Sequence, residues 1–177
     1  MGQLSRRNLL KLSGATAATS VLASKELVNA EEVKHEQGHG KNVLLDYPEH
    51  ALPAANTLKV GEPVAFNYPD NDSPCALLKL GHAVSGGVGE QEDIVAYSVL
   101  CSHRGCVVNY DHNAGTFKCP CHFSIFDPEK RGQMVCGQAV DDLPRVVLTH
   151  NREDDSLRAV AVEGLIYGRV SNILVKG

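Results

Sequence analysis

The chain has 177 residues, of which 43% are hydrophobic and 21% charged, so it is long enough for one folded domain. This composition excludes a disordered or a collagen-like protein. The formal net charge of −4 argues against nucleic acid as the main partner. Six cysteines and eight histidines are the unusual part of the composition, and they direct the search for function.

The first residues have the pattern of an export signal. The pair Arg6 and Arg7 precedes a weakly apolar stretch, Leu12–Ala23, and a small-residue cleavage pattern, Val28–Ala30. This order resembles a twin-arginine signal, which implies export of the folded protein to the periplasm. The apolar stretch is too short and too polar to cross a bilayer, which needs ~20 apolar residues, so we expect no stable membrane span.

The signal divides the chain into three predicted segments. Residues 1–30 are the export signal, 31–56 a linker and N-terminal extension, and 57–177 the folded domain. The extension contains His35–His39, which matches the zinc-protease pattern H-E-x-x-H. Gly38 interrupts that pattern and no apolar periodicity surrounds it, so a solvated linker is the favoured interpretation.

Short runs rich in branched residues, separated by turn residues, predict a mostly β domain built of small antiparallel sheets. No long amphipathic helix is expected. The predicted strands are Leu58–Val60, Val64–Tyr68, Ala76–Leu80, Ile94–Leu100, Arg145–Thr149 and Leu157–Val162.

Two short segments carry the chemistry. Cys101–Cys106 and Cys119–His122 each contain two cysteines and one histidine. Two thiolates and two imidazoles suffice for one metal centre, and the other two cysteines could close a disulfide. Two other interpretations stay open at this point: disulfides alone, and a structural zinc site.

The two segments, Cys-x-His-x-Gly-Cys and Cys-Pro-Cys-His, resemble the motif of the Rieske iron–sulfur family. The resemblance implies one [2Fe–2S] cluster per chain, with one iron bound by cysteines and the other by histidines. It also implies a Rieske-type antiparallel β-sheet architecture with a small cluster-binding subdomain at about 98–128. The implied roles are cysteine ligands Cys101 and Cys119, histidine ligands His103 and His122, and a disulfide between Cys106 and Cys121.

Further segments resemble the small subunit of arsenite oxidase, among them Glu62–Asp70, Asp93–Leu100, Gly132–Gln138 and Gly164–Arg169. This resemblance implies an electron-transfer subunit docked on a large molybdopterin subunit, which oxidises arsenite. A soluble cytochrome c or a copper protein (cupredoxin) would accept the electrons. No catalytic residue is expected in this chain, because substrate chemistry belongs to the partner.

Two rival functions remain. One is the Rieske subunit of a cytochrome bc complex, although many such proteins have glycine where this chain has Phe123, and tyrosine where it has Phe126. The resemblance implies that Ser124 donates its hydroxyl to the cluster, and that Phe126 lacks a hydroxyl that would tune it. The other rival is a non-redox binding domain stapled by zinc.

The remaining residues of interest are expected to be structural. Cys75 and Cys136 are favoured as buried thiols, with a second disulfide as the alternative. The resemblance implies that the segment 136–144 is the counterpart of a proline-bearing loop that covers the cluster in the family. Three histidines are expected at the surface: His82, His112 and His150.

Overall fold

In the computed structural model, which describes residues 46–173, ten β-strands form two antiparallel sheets. The only helical elements in this range are two 3₁₀ turns, Ala55–Thr57 and Pro128–Lys130. The predicted mostly β class is therefore confirmed. The strands are β1 His50–Leu52, β2 Val64–Asn67, β3 Pro74–Lys79, β4 Ile94–Ser98, β5 Asn109–Asp111, β6 Thr116–Lys118, β7 Ile125–Asp127, β8 Gln133–Cys136, β9 Arg145–Asn151 and β10 Ser156–Glu163.

The larger sheet has the order β1-β10-β9-β4-β3-β2. Every residue of β4 is buried, because side chains from both of its faces enter hydrophobic cores. Ile94 and Ala96 enter one core, whereas Val95 and Tyr97 enter the other. This two-sided burial explains why the sequence of β4 is a continuous apolar run rather than an alternating one.

The smaller sheet, β5-β6-β7-β8, packs against one face of the larger sheet. The core between them joins Tyr97 of β4 to Phe117 of β6 and Phe126 of β7. Cys101 and Cys119 belong to the same core. The packing of the two sheets therefore brings both cysteine segments to one end of the domain.

Several strands differ from the sequence prediction. The prediction of a strand at Leu58–Val60 is wrong, because a 3₁₀ turn precedes Leu58 and Val60 forms a single bridge to Lys79. The short strands β1 and β5 to β8 were missed. They have three or four residues each, too few for a clear periodic pattern.

The described part of the predicted extension 31–56 contributes β1, which pairs with β10. The export signal 1–30 and the segment 35–39 lie outside the described residues. No helix among residues 46–173 is both long and apolar enough to cross a membrane.

The end of the described chain is fastened to the turn after β2. Both terminal nitrogens of Arg169 bind the Asp70 carboxylate, at 2.5 and 2.8 Å. Asn172 donates to the carbonyl of Gly164 and accepts from the amide of Ile166. These contacts hold residues 164–172 in place beside the first cysteine segment, which Tyr167 of this stretch touches at Gly105.

Candidate metal centre

The two cysteine segments fold into loops with the same backbone hydrogen bonds. In the first loop, the amide of Cys101 donates to the Cys106 carbonyl at 2.9 Å, and the amide of Gly105 returns to the Cys101 carbonyl at 2.8 Å. In the second loop, the amide of Cys119 donates to the Ser124 carbonyl at 2.8 Å, and the amide of Phe123 donates to the Cys119 carbonyl at 3.1 Å. Each cysteine loop therefore closes on its first cysteine with the same spacing along the chain.

The same position in each loop has a left-handed backbone. Gly105 has φ +70° and Phe123 has φ +60°. Glycine adopts this conformation without steric cost, whereas a side chain with a Cβ carries about 1–2 kcal/mol. Phe123 is nevertheless 77% exposed, so its ring extends into solvent directly beside His122.

Two thiols lie inside the loops, both buried in the core between the sheets: Cys101 and Cys119. Burial raises the pKa of Cys101, against the amides of His103 and Arg104, which favour its thiolate form. Burial acts in the same direction on Cys119, but the amides of His122 and Cys121 and the Cys101 thiol outweigh it. The pKa of Cys119 is therefore lowered. The two thiols also act on each other: the Cys119 thiol raises the pKa of Cys101, whereas the Cys101 thiol lowers the pKa of Cys119.

Two imidazoles meet outside the thiols. The Nδ1 atoms of His103 and His122 lie 3.2 Å apart, and the two rings are nearly perpendicular. Partial desolvation, together with the charges of His122 and Arg104, lowers the pKa of His103. A neutral imidazole is the form that binds metals, so this environment suits a ligand.

A disulfide between Cys106 and Cys121 joins the two loops. The Cys119 sulfur lies within 4.8 Å of both disulfide sulfurs. Because bonded sulfurs offer no thiolate, Cys106 and Cys121 are unavailable as ligands, and the free thiols Cys101 and Cys119 remain for a metal.

A third loop, residues 137–142, covers the same end. The Ser124 Oγ accepts hydrogen bonds from the amides of Gln138 and Ala139, both at 3.0 Å. The Ser102 hydroxyl donates to the Asp141 carbonyl at 2.5 Å. The third loop thus contacts both cysteine loops, and it encloses Ser124 completely.

The donor set fits a [2Fe–2S] cluster of the two-cysteine, two-histidine type. Like donors are paired in space: the two thiols lie in the same core, and the imidazole nitrogens converge nearer the surface. A cluster with two irons requires this separation into one sulfur pair and one nitrogen pair. The fit rests on the four residues Cys101, Cys119, His103 and His122.

The structure tests the predictions for three residues outside the motif. Cys75 is a buried free thiol, as predicted, and burial raises its pKa to about 12. The prediction for Cys136 is wrong: the thiol is exposed and unbonded, because its strand β8 is the edge of the small sheet. His150 is also not a surface residue, since its side chain is only 6% exposed and its Nε2 lies 2.6 Å from Asp155.

The sequence analysis missed three residues that shape the site: Ser102, Gly137 and Tyr167. The Tyr167 ring lies so close to Gly105 that an added Cβ would be 2.5 Å from its Cδ1 atom. The sequence distance between these residues conceals the contact. The glycine of the first motif, Gly105, was the one signal in the sequence that another segment could approach this loop closely.

Comparison with protein families gives two matches. Residues 49–147 match the model of the Rieske [2Fe-2S] domain. Residues 3–23 match the signal sequence of the twin-arginine translocation pathway. The two matches cover separate parts of the chain, so the signal precedes the domain.

Similar proteins include several iron–sulfur subunits. The iodate reductase subunit IdrB of Denitromonas iodatirespirans is 34% identical, over 96% of this chain and 86% of that protein. The cytochrome b6-f complex iron-sulfur subunit of Gloeobacter violaceus is 31% identical, over 82% of this chain and 78% of that protein. The soluble domain of Rieske protein II (soxF) from Sulfolobus acidocaldarius shares the fold, with TM-score 0.63, 22% identity and coverage of 72% and 84%.

Proposed function

This chain belongs to the Rieske [2Fe–2S] family, and we propose that it is the electron-transfer subunit of a periplasmic molybdopterin enzyme that oxidises arsenite. The cluster, when bound, accepts and releases electrons. One observation carries the redox part of the proposal: two loops with the same hydrogen bonds bring two buried thiols and two imidazoles together.

In the proposed ligand set, Cys101 and Cys119 hold one iron, and His103 and His122 hold the other. Neutral imidazoles replace two thiolate charges, which makes the cluster easier to reduce than one held by four cysteines. The Cys106–Cys121 disulfide braces the loops. Replacing either histidine with alanine should abolish the Rieske electron paramagnetic resonance signal, and its survival in both variants would refute this set.

Exposed apolar side chains around the histidines support docking on a large subunit. Phe123 and Val107 directly follow a residue of the motif, Val140 lies on the third loop, and Leu165 and Tyr167 lie on the segment that contacts Gly105. Monomeric proteins rarely expose apolar residues in such a group. A standard interface would bury roughly 1,600 Å².

The substrate proposal rests on the segments that resemble the arsenite oxidase small subunit. A second substrate, iodate, is favoured by the similarity to iodate reductase subunits over almost the whole chain. The two reactions move electrons in opposite directions: arsenite oxidation delivers electrons to this subunit, whereas iodate reduction withdraws them. In the arsenite case, a soluble cytochrome c or cupredoxin receives the electrons.

The test is to purify this chain from the periplasm with any bound partner and to follow the cluster by paramagnetic resonance. Arsenite should reduce the oxidised cluster, and iodate should leave a prereduced cluster unchanged. Oxidation of the cluster by iodate, without reduction by arsenite, would replace the substrate proposal with the second one. A chain that purifies as a monomer without a molybdenum partner would refute the subunit proposal.

A further inference from the structure

The third loop reaches the buried hydroxyl of Ser124 with two consecutive backbone amides. The amides of Gln138 and Ala139 both donate to the Ser124 Oγ, at 3.0 Å. Ser124 also holds its own loop closed, because its carbonyl accepts the Cys119 amide at 2.8 Å. The residue therefore links the third loop to a loop that carries two of the proposed ligands.

The orientation of the Ser124 hydroxyl follows from its hydrogen-bonding capacity. A serine hydroxyl has one hydrogen and two lone pairs. The two amides occupy both lone pairs, so the hydrogen must point away from the third loop. Residues 46–173 supply no acceptor for that hydrogen, although the side chain is fully buried. The hydrogen is therefore free to be donated to an acceptor that the polypeptide does not provide.

Gly137 makes this approach of the third loop possible. Its φ is +113°, a conformation that residues with a Cβ rarely adopt. A Cβ on Gly137 would lie 2.4 Å from the Ser124 Cα and 2.7 Å from the Ser124 Oγ. A Cβ at this position would therefore force the third loop and Ser124 apart, which should weaken both amide contacts.

We propose that Gly137 is a positioning residue for electron transfer: through the amides of Gln138 and Ala139 it directs the Ser124 hydroxyl hydrogen at the cluster. The inference rests on the proposed ligand set. A hydrogen bond to the cluster stabilises the reduced, more negative state, so the third loop raises the reduction potential. Without the amides, Ser124 is free to rotate and to donate to a backbone carbonyl instead.

The experiment compares reduction potentials of the full-length protein with its cluster, by protein-film voltammetry. Ser124→Ala and Gly137→Ala should each shift the equilibrium about tenfold toward the oxidised cluster. For one electron, this lowers the reduction potential by about 59 mV. The double variant should shift it no further than Ser124→Ala, because both changes remove the same interaction. Gly61→Ala is the matched control: its φ is +75°, but nothing lies within 4 Å of the added Cβ.

Additive shifts in the double variant, or an unchanged potential in Gly137→Ala, would overturn the inference. If Gly137→Ala does not retain its cluster, amide hydrogen exchange in Ser124→Ala tests the contact between the third loop and Ser124. The amides of Gln138 and Ala139 should exchange faster than in the unmodified protein, and unchanged rates would refute the contact. Failure of the redox part of the proposed function looks different, because the unmodified protein would then hold no [2Fe–2S] cluster at all.

Discussion

At the scale of single residues, one hydroxyl group at the buried position Phe126 could change the reduction potential of the proposed cluster. Phe126 is completely buried, lies opposite Phe117 in the small sheet, and shares a core with Cys101 and Cys119. A tyrosine at this position would add one hydroxyl to a region that contains both proposed sulfur ligands. Phenylalanine provides packing there but no hydrogen bond.

We therefore expect Phe126→Tyr to raise the reduction potential by roughly 40–90 mV, the equivalent of a ~1–2 kcal/mol difference between oxidation states. Protein-film voltammetry of the protein with its cluster measures the shift. Phe117→Tyr is the control, because it adds the same hydroxyl on the paired strand, beside the rings of Tyr97 and Tyr110. An unchanged potential with an intact cluster would show that Phe126 serves packing alone.

The ion pair of Asp70 gives a second prediction at this scale. The hydrogen bond from Arg169 holds the pKa of the Asp70 carboxyl below its usual range. A lowered pKa stabilises the fold at pH values above the pKa of the unfolded state, ~3.9. This stabilisation is lost as the pH falls through the pKa of the folded state.

Asp70→Asn should thus lower the urea midpoint at pH 7, and the difference from the unmodified protein should shrink at pH 3. Asp72→Asn is the matched control, since Asp72 lies in the same turn and has no salt bridge among residues 46–173. A difference of the same size at both pH values would contradict the role of the ion pair.

At the scale of elements, the loops and the small sheet stabilise one another. The strands β5 to β8 have three or four residues each, too few for an independent sheet. Their loops are held by the disulfide on one side and by the third loop on the other. The cluster end is therefore fixed by cross-links rather than by long strands.

Replacing both Cys106 and Cys121 with serine should lower the free energy of unfolding by about 3 kcal/mol, the chain-entropy value for a 15-residue loop. Guanidinium denaturation monitored by circular dichroism measures this loss. Cys136→Ser is the control, because that exposed thiol forms no bond. Equal stabilities for the double variant and the control would mean that the disulfide does not brace the loops.

At the scale of the whole molecule, stability and association make opposite demands on Phe123. Its left-handed backbone favours glycine, as at Gly105 in the first loop, yet its exposed ring enlarges the apolar surface beside His122. A residue that disfavours the isolated fold and faces solvent is explained if a partner covers it.

Phe123→Gly should accordingly stabilise the isolated chain by about 0.5–1 kcal/mol, since relief of the left-handed backbone exceeds the entropy cost of glycine. The same change should weaken binding to the proposed large subunit about tenfold, the loss typical of a truncated aromatic contact. Thermal unfolding and titration calorimetry test the two effects separately.

Val60→Ala is the control for binding. Val60 is an exposed apolar residue that pairs with Lys79, at the end of β3 opposite to the cysteine loops. Val60→Ala should leave the affinity for the proposed large subunit unchanged. Undiminished affinity in Phe123→Gly would show that the partner does not cover this end.

The sequence by itself determined the features that adjacent residues encode. The apolar runs of β3 and β4 are visible because residues on both strand faces are buried, and the class of the fold follows from several such runs. The cysteine and histidine spacing within each loop is also local, so the resemblance could suggest a ligand set before any geometry was known. The match to a twin-arginine signal is likewise a property of one short segment.

Only the tertiary structure decided the contacts between distant segments. The pairing of β1 with β10, the ion pair of Asp70 with Arg169, and the contact of Gly137 with Ser124 all join residues far apart in sequence. Such contacts depend on how two sheets pack, and no local pattern records them. The exposure of Cys136 was decided in the same way, because an edge position in a sheet is a property of the neighbouring strands rather than of the residue itself.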